Sequence, residues 1–359
     1  MTKQDSTILK SLSRQGISRR SFLKFCAVTA SMLAIPASER FLFTRALAES
    51  SRPSVIWLHF QECTGCTEAI TRSFEPTLEN LILNMISLEY QETLMVAAGE
   101  YAEHSLAHAI EAGGYVLVVE GALSDRDGWC TIGNKNSIDI LHEAMAHAGL
   151  VIAVGTCAAY GGLPKAYPNP SDAISVGDLM DQGRVANKPL INLPGCPPVP
   201  EVMTGTIAHY LAYGEAPELD DLRRPLCFYG RTVHDRCPRK GSYNAGKFAE
   251  SFDDEGARKG WCLLHLGCKG PETYNACSAI GWNDGTSSPM HSGHGCLGCS
   301  QPDFWDRWGV DGGVYTNLEE RVKPPGHQRH KQSKRRSGGR IDGGHSGYRS
   351  GTPYRGSSA

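Results

Sequence analysis

Between residues 54 and 212, short apolar runs alternate with longer helix-like stretches. Residues 55–60, 115–120, 150–155 and 189–193 are rich in Val, Ile, Leu or Tyr, as expected of strands buried on both faces. Residues 77–84, 101–112, 138–148 and 199–213 are the intervening helix candidates. Such alternation predicts an α/β fold, a parallel sheet with helices on both sides. From about 214 to 305 the periodicity fades, and Gly, Pro, Cys and aromatic residues dominate. A segment this irregular cannot easily build an ordinary core, so bound metal would help hold it together. No internal repeat is visible. Residues 324–359 are Gly, Ser, Arg, His and Pro with almost no apolar side chains. That composition predicts disorder and offers no apolar run to anchor the chain in a membrane.

The N-terminal segment has a different pattern. Ser18-Arg19-Arg20-Ser21-Phe22-Leu23-Lys24 precedes a mildly apolar stretch over residues 25–36, and Ala46-Leu47-Ala48 is an A-x-A site. A basic start, a short apolar centre and small residues at the cut are the layout of a secretory signal peptide. The paired arginines with Phe22 and Lys24 resemble the twin-arginine version. The centre is too short to span a bilayer, which takes about 20 apolar residues. A plain amphipathic helix is the alternative, and it leaves the cleavage site in register unexplained. The twin-arginine route carries folded proteins, which suits a chain that takes up metal before export to the periplasm. Cys26 would leave with the leader, so 12 of the 13 cysteines remain in the mature chain.

Charge is segregated. The formal net charge is −2, yet residues 1–48 hold 8 Lys/Arg against 2 Asp/Glu, and residues 321–359 hold 10 against 1. The body between them has 18 basic and 35 acidic residues, a net of −17. An acidic body argues against nucleic-acid binding, whose affinity is dominated by attraction to phosphate.

Thirteen cysteines in 359 residues are too sparse for a small disulfide scaffold and too frequent for chance packing. Cys63 and Cys66 directly follow the first strand candidate, Cys157 follows the third and Cys196 the fourth. Loops at the carboxyl ends of strands in an open α/β sheet converge on the ligand site, so these four can meet at one point. Four thiolates suit a 4Fe–4S cluster or zinc. A second set is His234-x2-Cys237 with Cys262 and Cys268, and a third is Cys277 with Cys296-x2-Cys299. Cys130 and Cys227 are left over and read as small buried apolar residues.

These blocks carry a specific resemblance. Glu62-Cys63-Thr64-Gly65-Cys66, Gly155-Thr156-Cys157-Ala158, Pro194-Gly195-Cys196-Pro197-Pro198, His234-Asp235-Arg236-Cys237, Gly267-Cys268-Lys269-Gly270-Pro271, Tyr274-Asn275-Ala276-Cys277 and Gly293-His294-Gly295-Cys296-x2-Cys299 resemble the signature blocks of nickel–iron hydrogenase small subunits. The likeness runs from the signal peptide to about Asp306. It implies a flavodoxin-like N-terminal domain, residues 49–213, that binds a proximal 4Fe–4S cluster through Cys63, Cys66, Cys157 and Cys196. It implies an irregular iron–sulfur domain, residues 214–306, holding a distal 4Fe–4S cluster on His234, Cys237, Cys262 and Cys268. There, too, a medial 3Fe–4S cluster would sit on Cys277, Cys296 and Cys299, with Pro289 in the place of a fourth ligand. An imidazole in place of a thiolate removes negative charge near the iron and tends to raise its potential. Hydrogen would be split at a nickel–iron centre on a separate large subunit, and this chain would pass electrons on to a cytochrome or another acceptor. Glu62, beside the proximal cluster, is a candidate for moving protons, with a solvated or interface carboxylate as the plain alternative. The expected location is the periplasm, at the outer face of the cytoplasmic membrane, with peripheral membrane association.

The chain departs from family patterns twice. Oxygen-tolerant members carry extra cysteines at the positions of Gly65 and Gly162, so an ordinary proximal cluster and oxygen-sensitive catalysis are expected. Membrane-bound relatives continue into an apolar anchor helix, whereas residues 307–359 here are a basic low-complexity tail. That tail is either a disordered segment touching an acidic partner or anionic lipid, or the product of a shifted reading frame. Three other readings compete. An exported binding protein stapled by zinc or disulfides does not explain the grouping of His234 and ten cysteines. Likeness to quinone-linked dehydrogenases extends over only the sheet domain. A hydrogen sensor of the same family lacks an export signal.

Overall fold

The computed structural model describes residue 8 and residues 18–74 and 76–307. Two helices come first, α1 (Arg19–Met32) and α2 (Arg40–Glu49). The sheet and its crossovers follow: β1 (Ser54–His59), α3 (Gly65–Thr71), β2 (Ser87–Gln91), α4 (Glu100–Ala112), β3 (Val116–Glu120), α5 (Ser137–His147), β4 (Leu150–Val154), α6 (Gly155–Tyr160), α7 (Val176–Asp181), β5 (Leu190–Leu193) and α8 (Pro200–Tyr213). The strand order is β2-β1-β3-β4-β5, and every pairing is parallel. The α/β expectation is met, with the chain reversing direction across the sheet beside β1.

Strand alternation sorts the core into two layers. Val55, Trp57, Val116, Val118, Ile152, Val154 and Leu193 face one side, where α1, α2, α3 and α8 cover them. Ile56, Leu58, Leu117, Val119, Val151 and Ala153 face the other, packed against α4, α5 and α7. Period-two packing on both faces is why these strands read as unbroken apolar runs. The edge strand β2, Ser-Leu-Glu-Tyr-Gln, did not stand out as one: Ser87, Leu88 and Glu89 are only half-buried, and a register shift interrupts its pairing with β1. The predicted helix over 77–84 is a short turn, Leu78–Asn80, running into a π-helical turn, Leu81–Met85.

Beyond Tyr213 the described chain contains helices of at most five residues and isolated bridges. Its largest core cluster is Val233, Ala249, Leu263, Cys268, Met290 and Cys296, so cysteines make up part of the core itself. Arg239 ties loops together, donating from Nε to the Met290 carbonyl at 2.7 Å and from Nη1 to the Trp261 carbonyl at 2.8 Å. Among the described residues no helix is long and apolar enough to cross a membrane. The expectations for the tail fall on residues 308–359, outside the described residues.

Candidate metal centres

The carboxyl ends of β1, β4 and β5 deliver the first group. Cys63 sits on the turn into α3 and Cys66 in its first turn, Cys157 in the first turn of α6, and Cys196 between β5 and α8. The four thiols face one another: burial pushes the Cys66 thiol well up, and charge on Glu120, Cys157, Cys196 and Cys63 pushes it further. Burial likewise raises Cys157 to about 11 and Cys196 to about 12. Thiolates so placed cannot ionise together unless a cation sits among them, which is what a sulfur-ligated metal supplies. Glycines make the space. A Cβ on Gly155, at φ +83°, would lie 2.5 Å from Cys66 Sγ, and one on Gly162, at φ +59°, 2.6 Å from Cys157 Sγ.

The second group is built by loops. His234 lies within a 3-10 turn, Val233–Arg236, that begins with a capping box between Thr232 and Asp235 and ends at Cys237. With Cys262 and Cys268 they rim one apolar hollow, which Val233, Leu263 and Met290 also line. Burial and Lys240 lower the His234 pKa, keeping the imidazole neutral and able to bind a metal. Burial raises all three thiols, while Arg239 opposes the rise in each and Lys269 does so at Cys268.

The third group joins the other two. Burial raises the Cys277 thiol far above its ordinary value, helped by Cys299 and Cys296. Cys296 is pushed up to about 12 by burial and then by Cys268 and Cys299, and Cys196 feels Cys299 in the same way. Backbone contacts join the groups as well. Cys268 Sγ accepts the Cys296 N–H at 3.2 Å, and the Thr156 hydroxyl donates to the Cys299 carbonyl at 2.5 Å. Pro289 is exposed, its carbonyl accepting the His294 N–H at 2.9 Å. The Cys277/Cys296/Cys299 set thus touches both others, the sheet-end cysteines through Cys299 and the His234/Cys237/Cys262/Cys268 set through Cys296. No two cysteines are paired in a disulfide among the described residues. Cys130 and Cys227 are half-buried and pack against the two sheet-face cores.

Sequence reasoning singled out Glu62 and missed its surroundings. Glu120, buried at the end of β3, accepts the N–H groups of Cys66 and Thr67 at 3.1 and 3.2 Å, the Thr67 hydroxyl at 2.6 Å and Trp57 Nε1 at 3.1 Å. His59 Nδ1 lies 3.7 Å from Glu62 Oε1 and 3.8 Å from Glu120 Oε2. Gln91 Oε1 accepts the Leu94 N–H at 2.6 Å, which turns its amide Nε2 toward His59 Nε2 at 2.9 Å. With the amide so oriented His59 Nε2 accepts, which leaves the other ring nitrogen, Nδ1, facing the two carboxylates. Burial, then Glu120, raises the Glu62 pKa, with His59 opposing. A polar residue ending an otherwise apolar strand beside a cysteine loop was the available signal for both His59 and Glu120.

A parallel α/β domain whose strand ends and trailing loops gather eleven soft donors into three groups is an electron-transfer metalloprotein. Residues 229–310 match the C-terminal family model of the NiFe/NiFeSe hydrogenase small subunit, and residues 63–210 match that of the NADH ubiquinone oxidoreductase 20 Kd subunit. The chain is 46% identical over 318 residues to the uptake hydrogenase small subunit of Afipia carboxidovorans, covering 88% of this chain and 84% of the relative. It is 47% identical over 298 residues to periplasmic [NiFe] hydrogenase small subunit 1 of Nitratidesulfovibrio vulgaris, covering 82% and 93%. The quinone-reactive Ni/Fe-hydrogenase small chain of Wolinella succinogenes is 44% identical, covering 83% and 84%. Among solved structures, the Ni-Fe-Se hydrogenase of Desulfomicrobium baculatum superposes with a TM-score of 0.67 at 34% identity, covering 72% of this chain and 97% of that one. The chain belongs to the nickel–iron hydrogenase small subunits. It is the electron-transfer, iron–sulfur-bearing partner of a hydrogenase large subunit. The comparisons give no support to a zinc- or disulfide-stapled binding protein, and the oxidoreductase 20 Kd model stops before the second and third groups.

Proposed function

We propose that the three groups form a relay: a proximal 4Fe–4S site on Cys63, Cys66, Cys157 and Cys196, a medial 3Fe–4S site on Cys277, Cys296 and Cys299, and a distal 4Fe–4S site on His234, Cys237, Cys262 and Cys268. Clusters bound there would supply one-electron redox steps between the large subunit's nickel–iron site and an external acceptor. The observation that carries the reading is the pair of junctions, Thr156 with Cys299 and Cys268 with Cys296, which set the three groups end to end.

The fixed charges give the relay a direction. Glu62 and Glu120 crowd the proximal thiols, whereas Arg239, Lys240 and Lys269 face the distal ones. Negative charge disfavours an added electron and positive charge favours it, so these charges favour electron flow from the proximal toward the distal group. That is the direction of hydrogen uptake. Residues 1–48 serve as a twin-arginine leader to the periplasm, and the acceptor is a membrane cytochrome or quinone-linked partner, in keeping with periplasmic and quinone-reactive relatives. Glu62, with His59, would hand protons along the edge of the proximal site.

The test is a Cys296→Ala variant in the purified heterodimer. Hydrogen-driven dye reduction is expected to fall by about two orders of magnitude or more. Hydrogen–deuterium gas exchange, which needs only the large subunit's centre, is expected to persist. Unchanged dye reduction would contradict the relay.

A further inference from the structure

Helix α8 is buried on every side over residues 200–208, its apolar Val202, Met203, Ile207 and Ala208 joined by Leu211 and by the buried polar Thr204 and Thr206. Such a helix needs cover on every side. The sheet supplies one side. The other is covered by residues 19–49, which fold back as a helical pair. Phe22, Phe25, Cys26 and Ala30 of α1 and Phe43 and Leu47 of α2 belong to the same core as Val202, Met203, Ile207 and Leu211. Phe43 and Leu47 are fully buried, and the Phe43 ring lies 6.0 Å from that of Tyr213. Arg19 and Arg20 stay exposed, but Phe22 of the same motif is buried.

Cleavage after Ala48 would take both helices away and bare this face. Its position indicates the occupant that replaces them. Helix α8 begins just after Cys196, and α3, which carries Cys66, packs against it. The bared face is therefore continuous with the sheet end, the end the large subunit has to occupy to exchange electrons with the first cysteine group. We propose that the leader and the large subunit exclude one another on α8: the leader guards this apolar face until the large subunit arrives, and docking releases the leader with Phe22 for the export receptor. The inference rests on reading residues 1–48 as an export leader.

Three forms of the cluster-loaded chain test it by binding to purified large subunit under anaerobic conditions: the full chain, the full chain carrying Phe43→Asp and Leu47→Asp, and the chain starting at Glu49. The full chain is expected to bind about tenfold or more weakly than the other two, which should match each other. Without the large subunit, amide exchange over residues 200–213 should be slow in the full chain and faster in the double variant. Equal affinities of the three forms, or exchange indifferent to the substitutions, would overturn the proposal. N-terminal sequencing of the assembled enzyme separates the two readings. A chain starting at Glu49 together with equal affinities keeps the leader and removes the exclusion. A chain still starting at Met1 removes the leader reading and the exclusion with it.

Discussion

The Thr156 hydroxyl accepts the N–H of Gly195 at 2.9 Å and donates to the carbonyl of Cys299 at 2.5 Å. One buried side chain thus fastens the loops of Cys157, Cys196 and Cys299 to each other and sets the joint between the first and third groups. Thr156→Val keeps the shape and removes both bonds. Each buried group left unpaired costs about 1–3 kcal/mol. The expected outcome is a lower melting temperature and weaker magnetic coupling between the proximal and medial clusters in electron paramagnetic resonance. Thr156→Ser should restore both.

Gly155 holds the place where Cys66 passes β4. Its φ of +83° and the 2.5 Å separation from Cys66 Sγ leave no room for a methyl group. For Gly155→Ala, the backbone penalty is roughly 1–2 kcal/mol and the overpacking penalty about 1–3 kcal/mol. The anaerobically purified variant is expected to lose about four iron atoms per chain, the content of one 4Fe–4S cluster. Full iron content would show that the loop can shift.

Glu120 holds a negative charge within hydrogen-bonding reach of the Cys66 backbone. Glu120→Gln removes that charge while keeping the side-chain volume. The proximal potential is expected to rise by tens of millivolts in a redox titration, with the distal potential unmoved. Losing charge-assisted bonds to Thr67 and Trp57 should also lower stability by about 1.5–3 kcal/mol per bond. An unchanged proximal potential would remove Glu120 from the charge gradient.

Gly65 and Gly162 bear on oxygen. Neither position offers a sulfur, and at Gly162 a Cβ would collide with Cys157 Sγ at 2.6 Å. The purified heterodimer is expected to lose hydrogen oxidation on exposure to air and to regain it under hydrogen. Sustained turnover in air, followed at a dye or an electrode, would contradict this.

Much of the fold was legible because β1, β3, β4 and β5 are buried on both faces and so appear as bare apolar runs. The strand β2 was not, since Ser87 and Glu89 at the sheet edge break the pattern. Helices α3 and α6 were missed because seven and six residues give too few turns for a period to show. Cysteine placement at strand ends showed that Cys63, Cys66, Cys157 and Cys196 can meet, and their thiols lie close enough to raise the pKa of Cys66. The loops bearing Cys237, Cys262 and Cys268 have no periodicity, so their meeting followed from resemblance alone. Glu120, His59 and Thr156 escaped notice because their roles depend on hydrogen-bond partners 32 to 143 residues away, which spacing does not reveal.

The most direct measurement is the metal and sulfide content of the anaerobically purified heterodimer. Two 4Fe–4S clusters and one 3Fe–4S cluster require about 11 iron atoms on this chain, with sulfide in similar amount and no bound zinc. Zinc in place of iron, or a chain free of both iron and sulfide, would contradict the relay at its root.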